Sequence, residues 1–535
     1  MRYKTILLLV LSAWGIMACQ NYTDKIAVEI RQPVYPVLTL KEHNPVLCLR
    51  LIRNSGVAYQ LEKINFTLDG TVRSGDVVSA SLFLDKNCGQ VCASAKPVNK
   101  QLSFKVGRQI EEDTLTCWVT LRLRDDAAQA TSKIEISCSS VQTDLGLVGI
   151  RQLPAVKPLR IGVALRQPGQ DGVHTSRIPG LVTSTKGTLL ALYDARNERD
   201  DDLQGDIDIA INRSEDGGRT WQPMQTVLDM KEWGGLPQKY NGVSDGCILS
   251  DDFTGDLYVI GLWMHGVLDP KTGKWIENLT DTSTVWNHQW RAHGSQPGYG
   301  VKQSSQFLIS KSTDDGLTWS EPRNITRQVK KEKWWLLAPG PGRGITMEDG
   351  TLVFPVEGRN EDGLQFSTIM WSKDKGENWT VGEPAYYNTN ECQVVELSDH
   401  SLMLNMRERS NRGRQEGNGR AIAVTADLGK RGRNIPRRAE LSLNRLPGIL
   451  LRHDYIEDGE ERHVLLFANP NSKERRNNIT IKVSFDDGQT WPEEYWMLLD
   501  EGRGAGYSCM TSIDEHTIGI FYEGSQATFS SRLSR

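Results

Sequence analysis

An eight-residue phrase stands at four places between residues 214 and 491, and it restricts the fold more than any other feature of the chain. It reads SEDGGRTW at Ser214–Trp221, STDDGLTW at Ser312–Trp319, SKDKGENW at Ser372–Trp379 and SFDDGQTW at Ser484–Trp491. A shortened copy, TADLG, stands at Thr425–Gly429. Successive starts are 98, 60, 53 and 59 residues apart, the scale of one supersecondary unit per repeat. The four full copies follow alternating apolar stretches at Asp206–Arg213, Gln306–Lys311, Ser367–Trp371 and Ile479–Val483, the pattern of half-buried strands. Asp-x-Gly then makes a hairpin turn, with Gly at positive φ and Asp accepting from nearby amides. The Ser hydroxyl caps the same loop, and the Trp packs back onto its own hairpin. Clips repeated in this way predict an all-β fold of several small sheets, a β-propeller.

Further strands read at Leu189–Asp194, Leu257–Met264, Leu352–Val356, Cys392–Leu397, Leu402–Arg407, Val464–Ala468 and Thr517–Tyr522, with no competing helical period. Five repeats plus the strands around Tyr507 predict six blades over residues 156–535. Residues 20–155 lack the phrase. Short runs at Val46–Arg50, Asn65–Leu68, Val77–Leu84, Leu115–Leu123 and Lys133–Cys138 predict an N-terminal antiparallel β-sandwich. A linker with Pro154 and Pro158 follows, and the propeller is expected to begin near Leu159. The sandwich is either a carbohydrate-binding module or a spacer packed on the propeller. No aromatic platform can be read in it, which favours the spacer.

Charge and targeting narrow the function. Lys and Arg number 63 against 67 Asp and Glu, a net charge of −4 that excludes a generally basic nucleic-acid binder. Arg2 and Lys4 precede an apolar run from Thr5 to Ala18, too short to span a bilayer and patterned as a signal peptide over residues 1–19. Ile16-Met17-Ala18-Cys19 is similar to a lipobox, so the expectation is export, either with a lipid anchor at Cys19 or by an ordinary signal peptide. The destination is the periplasm, the outer membrane or the medium, with no transmembrane span. Export permits disulfides, with Cys88/Cys92 and Cys117/Cys138 as candidate pairs. Buried free thiols are the reading for Cys247, Cys392 and Cys509. No His accompanies the Cys at metal-ligand spacing, so no metal is expected.

Several short segments carry chemistry. They are Arg177-Ile178-Pro179, Tyr193-Asp194-Ala195-Arg196, Asp200-Asp201-Asp202, Ser244-Asp245-Gly246, Asn390-Glu391-Cys392, Asn405-Met406-Arg407, Arg475-Arg476-Asn477-Asn478-Ile479 and Gly504-Ala505-Gly506-Tyr507-Ser508. Their order and spacing, set among the repeated phrases, resemble the sialidases (neuraminidases) of glycoside hydrolase family 33, of the Bacteroides type. In that family the phrase is the Asp-box, a scaffold element. The resemblance implies a six-bladed propeller, and a triad of Arg177, Arg407 and Arg476 on the carboxylate of sialic acid. It also implies Arg196 near the substrate O4, Asp245 at O4 or the N-acyl group, Asp202 as general acid, Glu391 as base and Tyr507 as nucleophile. Asp201 rivals Asp202, Arg409 rivals Arg407, and Arg475 rivals Arg476. Glu391 and Glu396 lie five apart on one strand and should face opposite ways. Trp263, Trp275, Trp286, Trp290 and Tyr299 mark a long loop able to wall the N-acyl group and the aglycone, with core packing the default reading for each Trp.

The residue types suit the chemistry. Arginine is permanently charged, and its planar fork pairs bidentately with a carboxylate. The anomeric carbon of sialic acid bears that carboxylate, so a carboxylate nucleophile would be repelled where a neutral tyrosine is not. Glu391 would take the phenol proton. Asp202 would protonate the leaving oxygen and then activate water. No step calls for a cofactor. The expected activity is an exo-α-sialidase acting on glycoproteins, gangliosides and oligosaccharides. Two rivals are a trans-sialidase, distinguished by its product, and a sialic-acid-binding propeller, which would need the arginines but not Tyr507, Glu391 and Asp202.

Overall fold

Strand follows strand from Tyr22 to Tyr522 in the computed structural model, and the single α-helix among the described residues is one turn, Thr326–Val329. The structure describes residues 22–526 apart from 55, 74, 85–88, 128–130, 152–156, 270, 273, 286–294, 410–418, 431–446 and 473–474. Residues 1–19, where an export signal is expected, with Cys19, and also Cys88, Pro154, Trp286 and Trp290, lie outside the described residues. No described helix is long and apolar enough to cross a membrane.

The first eleven strands, Tyr22–Arg31 through Leu159–Val163, form one eleven-stranded sheet around a single apolar core that includes Leu49, Phe66, Phe104, Val119 and Ile136. Two expectations change here. Leu159–Val163 does not open the propeller: it runs parallel to Val37–Thr39 and antiparallel to Ile134 and Lys133, which take up its backbone donors and acceptors. Cys117 and Cys138 are unpaired thiols. They lie on strands that are not neighbours in the sheet, and burial pushes the Cys138 thiol up to about 12.

Five sheets follow in a propeller-like arrangement. Sheet I comprises Thr175–Thr183, Leu189–Arg196, Ile207–Ser214 and Gln225–Leu228. Sheet II is built on Val243–Ser250, Leu257–Trp263, Gln306–Ser312 and Arg323–Asn324, and sheet III on Leu336–Pro339, Leu352–Arg359, Gln365–Ser372 and Thr380–Val381. Sheet IV holds Thr389–Glu396, Leu402–Glu408 and Ala421–Thr425; sheet V holds Ile449–Glu457, Glu460–Pro470, Asn477–Ser484 and Met497–Arg503. A hairpin, Ser508–Asp514 with Thr517–Tyr522, comes last. Each interface between consecutive sheets has its own apolar cluster, such as Leu192, Ile209, Ile248 and Val259 between I and II. A further cluster joins Leu181 and Ala191 of sheet I to Leu451 and Leu466 of sheet V and to Cys509 and Met510 of the hairpin.

The repeated phrase closes the third strand of each sheet. In the first copy Gly218 N donates to Ser214 Oγ at 2.9 Å, Thr220 N donates to Asp216 Oδ1 at 2.9 Å and Trp221 Nε1 donates to Gly218 O at 3.0 Å. The other full copies repeat the Ser and Asp bonds, and even the shortened one keeps Gly429 N to Thr425 Oγ1 at 2.9 Å. The residue before the last glycine also has positive φ, at Asp315, Lys375, Leu428 and Asp487, so two left-handed residues make each turn. Strands alternate in direction. First and third strands therefore begin at one end of the ring, and every turn of this kind lies at the other.

Candidate functional site

The end opposite those turns gathers the chemistry. Arg177, Asp245 and Glu391 sit near the starts of first strands, and Tyr507 immediately precedes the hairpin strand Ser508–Asp514. Arg196, Glu357 and Arg407 lie at or near the ends of second strands; Asp202 and Arg476 precede third strands. Three of the first strands break register at the functional residue: between Arg177 and Gly180, between Ser244 and Cys247, and between Thr389 and Cys392. Such bulges leave residues out of the ladder and re-aim their side chains. Ile178 and Asp245 both take φ of 58° there, a costly conformation for a β-branched Ile.

Tyr507 is at the centre. Its hydroxyl donates to Glu391 Oε1 at 2.5 Å, and Arg407 Nη1 donates to the same oxygen at 2.6 Å. The guanidinium carbons of Arg177 and Arg476 lie 5.8 and 5.6 Å from the Tyr507 ring centroid. Arg476 also donates to Ala505 O at 2.5 Å. So the three arginines named from the sequence surround one phenol. Arg409 instead lies within electrostatic reach of Glu357.

Burial sets the protonation states. It works against charge on Glu391, but Arg407, the Tyr507 hydroxyl and Arg476 outweigh it and hold the carboxyl below the usual range. Burial, then the adjacent Glu391 charge, push the Tyr507 phenol well above its usual value. An ionised acceptor therefore faces a neutral phenol.

A second group forms around Arg196. This side chain is 1% exposed and reaches Asp194 Oδ2 at 3.3 Å, Asp202 Oδ1 at 2.9 Å and the Asp200 carbonyl at 2.7 Å. Ser244 Oγ donates to the same Asp194 oxygen, Oδ2, at 2.8 Å. Asp202 is half-exposed; Asp201 turns to Arg199 at 3.5 Å. Burial pushes Asp245 well above the carboxylate range, reinforced by Asp194, Asp202, Glu357 and Glu391. Glu396, five residues after Glu391, accepts from Glu348 N at 2.9 Å and stays at the far end of its strand.

Two acids here carry no motif in the sequence. Glu523 accepts from Arg177 Nε at 2.6 Å and Ile178 N at 3.0 Å through Oε1, and from Tyr507 N at 2.9 Å through Oε2. It thus links sheet I to the segment bearing Tyr507. Glu357 is 7% exposed, and burial with the nearby Glu391 charge pushes its carboxyl up to about 8 against Arg407, Arg359 and Arg409. The available signal was a single acid closing the apolar run Leu352–Val356.

Glu348, Glu396 and His400 have ligand atoms within 4.8 Å of one another, at the end of the ring away from Tyr507. No group of that kind appears around Tyr507 among the described residues.

Residues 178–492 match a family model described as a BNR repeat-like domain. A sialidase of Bacteroides fragilis is 41% identical over 417 residues, covering 77% of this chain and 71% of its own length. A sialidase of Micromonospora viridifaciens is 29% identical over 385 residues, covering 69% of this chain and 53% of its own length. Among solved structures, the Hadza microbial sialidase Hz136 superposes with a TM-score of 0.79 at 32% identity, covering 93% of this chain and 97% of that one.

Proposed function

The chain belongs to the sialidase family and is an exo-α-sialidase, a glycoside hydrolase; on that premise we propose that it is exported and removes terminal sialic acid from glycoproteins, gangliosides and oligosaccharides with retention, through a covalent bond to Tyr507. The observation that carries the mechanism is the shared oxygen. Glu391 Oε1 is 2.5 Å from the Tyr507 hydroxyl and 2.6 Å from Arg407, with Arg177 and Arg476 flanking the phenol ring.

On this reading, Arg177, Arg407 and Arg476 hold the sugar carboxylate and set the anomeric carbon over the Tyr507 oxygen. Orientation of this kind converts binding energy into rate. The phenol is too weakly acidic to ionise in advance, so its proton passes to Glu391 as the oxygen–carbon bond forms. Asp202 gives its proton to the departing glycosidic oxygen. In the second half Asp202 takes a proton from water, the water oxygen bonds to the anomeric carbon, and the tyrosyl bond breaks. Glu391 returns the proton to Tyr507, and two inversions give retention. Arg196, spanning Asp194 and Asp202, would fix the acid's position and present its remaining donors to O4; Asp245 would bind at O4 or the N-acyl group.

The fold is proposed to close as six blades, the Ser508–Tyr522 hairpin forming the core of the sixth. The support is the cluster joining that hairpin to sheets V and I. The N-terminal unit is read as a sandwich. Residues 1–19 are read as an export signal, with Cys19 as lipid anchor if the lipobox is processed. Timed NMR of a sialyllactose digest tests the activity and its outcome together. The expected first product is free α-sialic acid. A transferred or anhydro sugar would replace hydrolysis by a trans-sialidase, and binding without product would leave only a lectin.

A further inference from the structure

The mechanism gives no task to the eleven-stranded unit, yet one edge of it reaches the back of the active site. Residues 31–41 lie along two stretches near the end of the chain. Glu501 N donates to Val34 O at 2.9 Å, and Arg31 pairs with Glu501 Oε1 at 2.5 Å. Gly502 is wedged between Tyr35 and Ser525; a Cβ there would come within 3.1 Å of Tyr35 Cε1 and 2.2 Å of Ser525 Oγ. Lys41, 7% exposed, donates its ammonium to the Gln526 carbonyl. Asp500 ties the two stretches together, accepting from Ser525 Oγ at 2.5 Å and Ser525 N at 2.7 Å. One stretch continues to Tyr507. The other contains Glu523, whose carboxylate holds Arg177 Nε, Ile178 N and Tyr507 N.

We propose that Lys41 is a positioning residue for sialoside hydrolysis: by fixing the Gln526 carbonyl, it holds the Glu523 carboxylate where it aligns Arg177 with the Tyr507 backbone. The N-terminal unit is then part of the working site rather than a spacer. The proposal rests on the sialidase reading above. A buried ammonium bonded to a carbonyl is costly to break, because the carbonyl is left without its donor. A rigid support one step behind the reacting groups matters, because misplacement of about 1 Å can cost about 100-fold in rate.

The test is a double-mutant cycle in the full chain. Lys41→Met and Lys41→Arg are made alone and with Glu523→Gln, and kcat and KM on sialyllactose are measured beside thermal unfolding. Lys41→Met should lower kcat/KM by about ten-fold with a single intact unfolding transition, and Lys41→Arg should recover to within about two-fold. In the Glu523→Gln background the same Lys41→Met change should cost less than about two-fold, because the alignment it supports is already lost. Wild-type kcat/KM in Lys41→Met, or equal losses in both backgrounds, would overturn the proposal. If Lys41→Met does not fold, Arg31→Gln at the exposed pair with Glu501 is read by the same cycle: non-additivity with Glu523→Gln supports the brace and additivity rejects it. Failure of the sialidase reading would look different, since the wild type itself would release no sialic acid.

Discussion

Glu391→Gln isolates the step on which the mechanism depends. The amide keeps the shape of the side chain and one acceptor oxygen, but it can neither take the Tyr507 proton nor carry a negative charge. Glu391 Oε1 serves Tyr507 and Arg407 at 2.5 and 2.6 Å, so both lose a charged partner. Loss of a positioned general base typically costs 10²–10⁴-fold, and kcat should fall by about that factor. KM should change little, because the three arginines remain and Arg407 is released to pair with substrate. A structural cost is also expected. Removing one member of a buried ion pair costs about 3–5 kcal/mol when the other is stranded. Loss of the Glu391 charge also removes a repulsion that raises Glu357, which can then ionise beside Arg407, so the loss should fall below that range. The assay is steady-state release of sialic acid from sialyllactose, with unfolding followed by circular dichroism on the same samples. A variant that keeps kcat within about five-fold of wild type while folded would refute the proton transfer from Tyr507 to Glu391.

Three further outcomes follow from the same geometry. Glu357 titrates at about 8 in the folded protein, so between the ordinary glutamate range and that value the folded state binds the extra proton; stability should decline as pH rises through this window. Glu357→Gln should flatten the decline in urea unfolding between pH 5 and 8, and an unchanged slope would exclude Glu357 as its source. Asp202→Asn should slow sialyllactose about 10²-fold or more but spare sialyl fluoride, whose leaving group needs no proton; equal slowing of both substrates would remove Asp202 from the acid role. Trp379, 3% exposed and bonded to Gly376 O at 3.1 Å, lies at the far end of sheet III. Trp379→Ala should cost about 3–5 kcal/mol in unfolding yet leave kcat per folded molecule unchanged, and a specific loss of kcat would contradict the separation of scaffold from site.

The scaffold was legible because its signal is local. The Ser, Asp, Gly and Trp of the repeated phrase bond to one another within eight residues, so the turn is written where it forms. Arg177, Glu391, Arg407, Arg476 and Tyr507 were legible as a set, through order and spacing, although none stands out singly. Glu523 was not. Its partners are Arg177, Ile178 and Tyr507, the first two some 345 residues away, and Tyr522-Glu523-Gly524 by itself resembles any strand end. The bulges were also hidden: Arg177-Ile178-Pro179 shows no sign that Ile178 takes a left-handed backbone, which the Glu523 carboxylate supports by accepting its amide. The strand Leu159–Val163 joins the N-terminal sheet for a reason its sequence does not display. Its apolar alternation suits either neighbour, and only pairing with Val37–Thr39 decides between them.

The clasp between Arg177 and Glu523 has a temporal meaning. A ribosome releases the arginine hundreds of residues before it makes the glutamate that steadies it, and Tyr507 emerges only slightly earlier than that glutamate. Until residues 507–523 are made, an emerging molecule holds Arg177, Arg407 and Arg476 without the phenol they surround. The clasp therefore closes only after two stretches made far apart in time, some 346 residues from one another, have come together.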